Sequence, residues 1–133
     1  MNVFLFQNRF EADIVAGRKP HTIRGHRRDG KPRAKEGELV SLRMWTGSPY
    51  RSKQREIGRG KVETVFPIRI NKDGVYRLSL LNGKIRPHWS SILDRKWIAK
   101  KDGFAHWREM KAWFKATHGL PFEGVLVHWR LLP

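Results

Sequence analysis

No cysteine occurs among the 133 residues. That excludes disulfides, cysteine-ligated zinc and thiol nucleophiles, and it fits a reducing compartment, so a cytoplasmic location is expected. Acidic residues are scarce: 12 Asp and Glu stand against 28 Lys and Arg, a formal charge of +16. So one-sided a chain points to a polyanionic partner, because each phosphate met by Lys or Arg releases a counterion. Nucleic acid is the first candidate and an anionic membrane surface the second. No stretch is long or apolar enough to span a bilayer, and the first ten residues lack the basic start and apolar core of a signal peptide. The six histidines show no metal-ligand spacing with a carboxylate, so neither metal nor cofactor is expected. Ser48 and the Ser90–Ser91 pair lack a hydrolase elbow, and Gly58, Gly60 and Gly83 form no phosphate loop. With no repeat and no linker, residues 1–133 are expected to form a single domain, taken as a monomer.

What is present is a workable core. The chain is 39% hydrophobic and carries 6 Trp and 7 Phe, large groups to bury. Residues 2–6 read as a strand and 7–16 as a short helix with Phe10 and Ile14 on one face. Gly17 suits a left-handed helix cap. Pro20 drives the backbone into an extended run with Thr22 and Arg24 on one side and His21 and Ile23 on the other. Residues 25–37 read as a basic loop. Residues 38–46 alternate, with Val40, Leu42 and Met44 on one face, as a half-buried strand does. Residues 47–55 read as a second basic loop. A long strand follows over 61–70, with Pro67 at an edge or bulge. A turn at 71–74, a return strand over 75–80 and a turn at Asn82–Gly83 come next. Helices are expected over 90–101 and from Phe104 to a Gly119 cap, then a closing strand over 124–132. The strands from 38 and 61 should pair, with Val40, Leu42, Phe66 and Ile68 inside. The fold class expected is α+β: a small, mostly antiparallel barrel with short flanking helices.

The octet from Gly17 to Arg24 sets an amine, a hydroxyl and a guanidinium on a turn leaving a helix. It reads either as an anion or nucleotide site or as a solvated basic turn, and on spacing alone the second is the commoner outcome. The loop at 47–55 sets Trp45 and Tyr50 beside Arg51, Lys53 and Arg55, which suits either stacking of unpaired bases together with phosphate contacts or a plain surface hairpin. The residues expected to meet nucleic acid are Arg18, His21, Arg24, Arg27, Arg28, Arg43, Trp45, Tyr50, Arg51, Lys53 and Arg55. Asp102, before Gly103 and a helical run, also reads as a plain helix N-cap.

From end to end the chain resembles the ASCH family, a branch of the PUA-like barrels. The run Phe6-Gln7-Asn8-Arg9-Phe10 with Asp13-Ile14 opens it. Gly17-Arg18-Lys19-Pro20-His21-Thr22-Ile23-Arg24 is similar to the family's G-x-K-T-x-T-I-R signature. Gly37-Glu38, Asp102-Gly103-Phe104, Trp107, Met110, Trp113-Phe114, His118-Gly119 and the segment from Phe122 to Trp129 follow in order. The resemblance implies an RNA- or nucleotide-associated domain. The opening is closest to the small bacterial N(4)-acetylcytidine amidohydrolases, whose catalytic set is a Lys, a Thr three residues on and a late Glu. That implies Lys19, Thr22 and Asp102 here, with Pro20 where the family has Thr and Asp102 one methylene shorter than Glu. The expected partners are RNA, single-stranded nucleic acid or a modified nucleoside. Rival readings are a metal-independent ribonuclease using Lys19, Lys53 or Tyr50, and an adaptor for an acidic protein.

Overall fold

A computed structural model describes the backbone of residues 1–133 and the side chains of all but residue 81 and residues 85–90. Seven strands form one sheet: β1 (Asn2–Phe6), β2 (His21–Gly25), β3 (Leu39–Trp45), β4 (Gln54–Asn71), β5 (Gly74–Leu81), β6 (Lys84–Ile92) and β7 (Phe122–Leu131). Three short helices flank it: α1 (Glu11–Val15), entered through a 3-10 turn at Asn8–Phe10, α2 (Arg95–Lys101) and α3 (Trp107–Thr117). The molecule is thus α+β and strand-rich, with the sheet curled into a half-barrel.

The 18-residue β4 organises the curl. Its first half pairs antiparallel with β3, its last residues with β5, and its second half with β7 along the other edge. β1 runs parallel to β3, and β2 antiparallel to β7. β5 pairs on antiparallel with β6, so the sheet ends at β1, β2 and β6, and β1 and β2 are the two margins that flank a cleft. Side chains rather than a ladder tie them together: Arg24 Nη2 donates to the Leu5 carbonyl at 2.7 Å, and Arg33 Nε donates to the Gly25 carbonyl at 2.7 Å.

The core follows the sequence pattern. Val40, Leu42 and Met44 point in from β3, and Val62, Ile68 and Ile70 from β4. Trp129, Phe114, Met110, Ile98 and Ile14 complete it. Gly17 takes φ +78 and Gly119 φ +82, the caps expected of them. Pro67 pairs with Val125 of β7 while β5 pairing begins only at Ile68, so its missing N–H costs no rung on that side.

Several expectations need correction. β4 starts at Gln54, so the loop closes two residues early and Arg55 stands on a strand. Residues 56–60, unassigned from the sequence, belong to the same strand, and its two glycines lie under neighbouring side chains. A Cβ on Gly60 would lie 3.0 Å from the Trp129 Cβ. Phe66 is half-buried rather than inside. The helix expected over 90–101 is only α2; β6 runs on to Ile92, and Asp94 caps the helix by accepting from the Trp97 N–H at 2.9 Å. The side chains of His88 and Ser90 lie outside the described residues. Asp102 is not an N-cap: it ends α2, and His106 caps α3 instead.

Candidate functional site

A cleft of about 530 Å³ opens between the β1 and β2 margins, with α3 along one side. Lys19, Thr22, Arg24 and Asp102 all line it, although 83 residues separate Lys19 from Asp102. The chain turns through Gly17, Lys19 N–H bonds back to the Asp13 carbonyl at 2.9 Å, and β2 begins two residues later. From the other direction, α2 ends at Asp102 and Gly103 turns the backbone at φ +95. A Cβ on Gly103 would lie 2.6 Å from the Phe10 ring, so only glycine lets the two segments meet.

Lys19 is 3% exposed and Asp102 4%. Lys19 Nζ donates to the Asp102 carbonyl at 2.7 Å and to its Oδ1 at 3.0 Å. The ammonium also sits 4.9 Å from the Phe10 ring centroid. His21 Nε2 approaches the same Oδ1 at 3.3 Å, near enough for Coulombic attraction but outside hydrogen-bond geometry. One carboxylate oxygen thus stands between an ammonium and an imidazole.

Burial lowers the Lys19 pKa, against the pull of Asp102 and with help from Arg24. Burial would raise that of Asp102, but Lys19 and then His21 overrule it and hold the carboxyl below its usual range. Burial also lowers His21, so the imidazole is neutral near pH 7. Arg24 is brought down to about 10 by burial and by the facing Arg33. It donates from Nε to Thr22 Oγ1 at 3.0 Å. The Thr22 oxygen therefore has a cationic donor already aimed at it, which can stabilise negative charge that develops there. Lys19 and Thr22 face the same cleft without a hydrogen bond between them.

The remaining expected contacts divide. Tyr50 lines the cleft from the β3–β4 loop, 88% exposed, in a left-handed conformation at φ +64, its ring 5.2 Å from that of Trp45. Arg18 turns aside to Asp13 at 2.8 Å, and Arg55 to Glu11 at 2.6 Å. Arg43 donates to Ser41 Oγ at 2.8 Å and to Gln54 at 3.1 Å, on the outside of β3. Arg27 pairs with Asp29 at 2.7 Å. Arg28, Arg51 and Lys53 are exposed and lie outside the cleft lining. Of the three alternatives for a ribonuclease, Lys19 and Tyr50 line the cleft and Lys53 does not. Arg33 and His118 also line it, and neither stands out as a site residue in the sequence. His118 is readable there as the end of a helix but not as a wall, because that depends on how α3 lies over the sheet.

Compared with protein-family models, curated proteins and solved structures, the chain matches none of them.

Proposed function

We propose that this chain is an ASCH-type domain of PUA-like architecture that takes an N4-acylated cytosine into the cleft and hydrolyses its amide. One observation carries the reading: a lysine and an aspartate from opposite ends of the sequence form a buried hydrogen-bonded pair in a cleft that also holds a threonine with an arginine on its oxygen. A buried Lys–Asp pair gives up solvation that surface placement would keep, so its position at a cleft wall, rather than in the apolar core, is what a site would require.

The chemistry runs as acyl transfer. Thr22 Oγ attacks the acyl carbonyl while Lys19, in the neutral amine form that its burial favours, accepts the hydroxyl proton. Asp102 stabilises the ammonium so formed. The C–N bond breaks, the proton passes to the departing cytosine amine, and water then cleaves the Thr22 ester to release the carboxylic acid. Arg24, held between Thr22 Oγ1 and the Leu5 carbonyl, steadies the negative charge that develops beside it.

The test is to incubate the purified protein with N4-acetylcytidine and follow cytidine and acetate. Turnover is expected, reduced in Thr22→Ser and absent in Thr22→Val. Absence of product across pH 6–10 sinks the proposal, and full activity in Thr22→Val sinks the nucleophile.

A further inference from the structure

A second groove, about 520 Å³, lies next to the cleft. Its floor is apolar: Val65, Phe66 and Pro67 from β4 with Val125 from β7, and Arg77 Cζ lies 4.3 Å from the Phe66 ring centroid. Its rim is cationic, with Arg27, Lys31 and Arg33 from the segment between β2 and β3. Arg33 is the hinge of the arrangement, because it lines both the cleft and this groove. Its Nε is fixed on the Gly25 carbonyl at 2.7 Å, and its own carbonyl accepts from Asn2 Nδ2. The guanidinium is thus held by β2 through the Gly25 carbonyl, while Asn2 of β1 holds the Arg33 backbone. It faces Arg24 closely enough for its charge to depress that group. Among the described residues, no carboxylate forms an ion pair with either Arg24 or Arg33. Two facing guanidiniums, neither of them in an ion pair though Asp102 offsets part of the charge on Arg24, attract an anion that can accept from both.

We infer that the substrate is a phosphodiester-linked single strand rather than a free nucleoside: the acylated cytosine enters the cleft, the adjoining phosphate lies on Arg33, and the neighbouring base rests on the apolar floor around Phe66. A flat, apolar-floored groove with a cationic rim matches one nucleotide, which pairs a π-face with a phosphate. The inference rests on the proposed hydrolysis for what fills the cleft, and it gives the basic segment at 25–37 a task that a lone nucleoside would leave idle. A membrane headgroup would offer the phosphate but no planar group for the floor.

Three substrates separate the possibilities: N4-acetylcytidine, and two dinucleotides carrying N4-acetylcytidine on the 5′ or the 3′ side of an adenosine. One dinucleotide is expected to show a kcat/KM at least about tenfold above the nucleoside, the size of one base stacked. In Arg33→Gln and in Phe66→Leu, which keeps apolar volume without a ring face, that ratio should fall towards one. A ratio near one in the wild type, with the nucleoside turned over, overturns the inference and leaves the hydrolysis standing. If no substrate is turned over, the hydrolysis fails and binding decides the inference. Fluorescence anisotropy of labelled, unmodified CpA should then show an affinity that both substitutions weaken about tenfold, and equal affinities in wild type and variants overturn it. A wild-type thermal melt in each variant shows that the fold is intact and that any weakening belongs to the replaced side chain.

Discussion

Lys19 and Lys53 carry the same charge on the same alkyl stem, and the fold treats them in opposite ways. Lys19 is buried, bonded twice to Asp102 and laid against the Phe10 ring. Lys53, at the end of the β3–β4 loop, is exposed, and its backbone carbonyl is engaged by Thr46. The first region takes its charge out of water and sets it against a carboxylate and a ring; the second leaves its charge exposed to solvent. A cation kept in water can attract a polyanion at a distance, whereas one taken out of water can change its proton affinity and do chemistry. The chain uses its +16 in both ways.

The sharpest way to break that contrast is at Lys19. Lys19→Met leaves Asp102 buried without its main partner, and stability should fall by about 3–5 kcal/mol, with the amidohydrolase rate down about 10²–10⁴-fold. Lys19→Met with Asp102→Leu should recover most of the stability in a urea melt and none of the rate. A stable single variant would show that the pair is not the buried charge its geometry indicates.

Next in size is Gly124→Ala. Its Cβ would stand 2.2 Å from the Arg24 carbonyl, forcing β7 off β2 directly beneath the cleft, at about 1–3 kcal/mol. Gly25, its partner in the ladder, is the control: there a Cβ meets only Phe122 at 3.8 Å, so Gly25→Ala should melt near the wild type. Equal melting temperatures for the two variants would refute the close approach.

A smaller effect comes from His21. Its folded pKa lies below its ordinary 6.5, so the unfolded chain binds the proton first as pH falls. Its contribution to stability is therefore whole above 6.5 and declines below it, at up to about 1.4 kcal/mol per pH unit. Asp102, Lys19 and His128 face the ring and share in setting the shift. Urea midpoints from pH 8 to 5 should fall less steeply in His21→Gln than in the wild type; parallel curves would contradict it.

The smallest effect belongs to the exposed region. Arg51→Ala with Lys53→Ala should leave stability unchanged within about 0.5 kcal/mol. It should flatten the salt dependence of single-stranded RNA binding by about 0.7 for each phosphate that the variant no longer neutralises. Arg55 is left out because Glu11 already holds it. An unchanged salt slope would remove this loop from the nucleic-acid surface.

Local grammar made much of the fold legible. The caps at Gly17 and Gly119, the turns at 71–74 and Asn82–Gly83, and the inward face of β3 all follow from φ limits and two-residue periodicity. The start of β4 was not legible, because the place that Gly60 leaves for Trp129 depends on a strand distant in the chain. The partner of Arg55 was not legible, because Glu11 meets it only across the fold.

By itself, the sequence determined the excess of positive charge, the strand-rich character and the octet that places Lys19, Thr22 and Arg24 on one turn. Only the tertiary structure decided that Lys19 would be buried, that Asp102 rather than another carboxylate would meet it, and that Arg33 would stand between two hollows. Charge and periodicity are sums over residues or near neighbours. Burial and the proton affinity it alters depend on which distant segments exclude water from the same place.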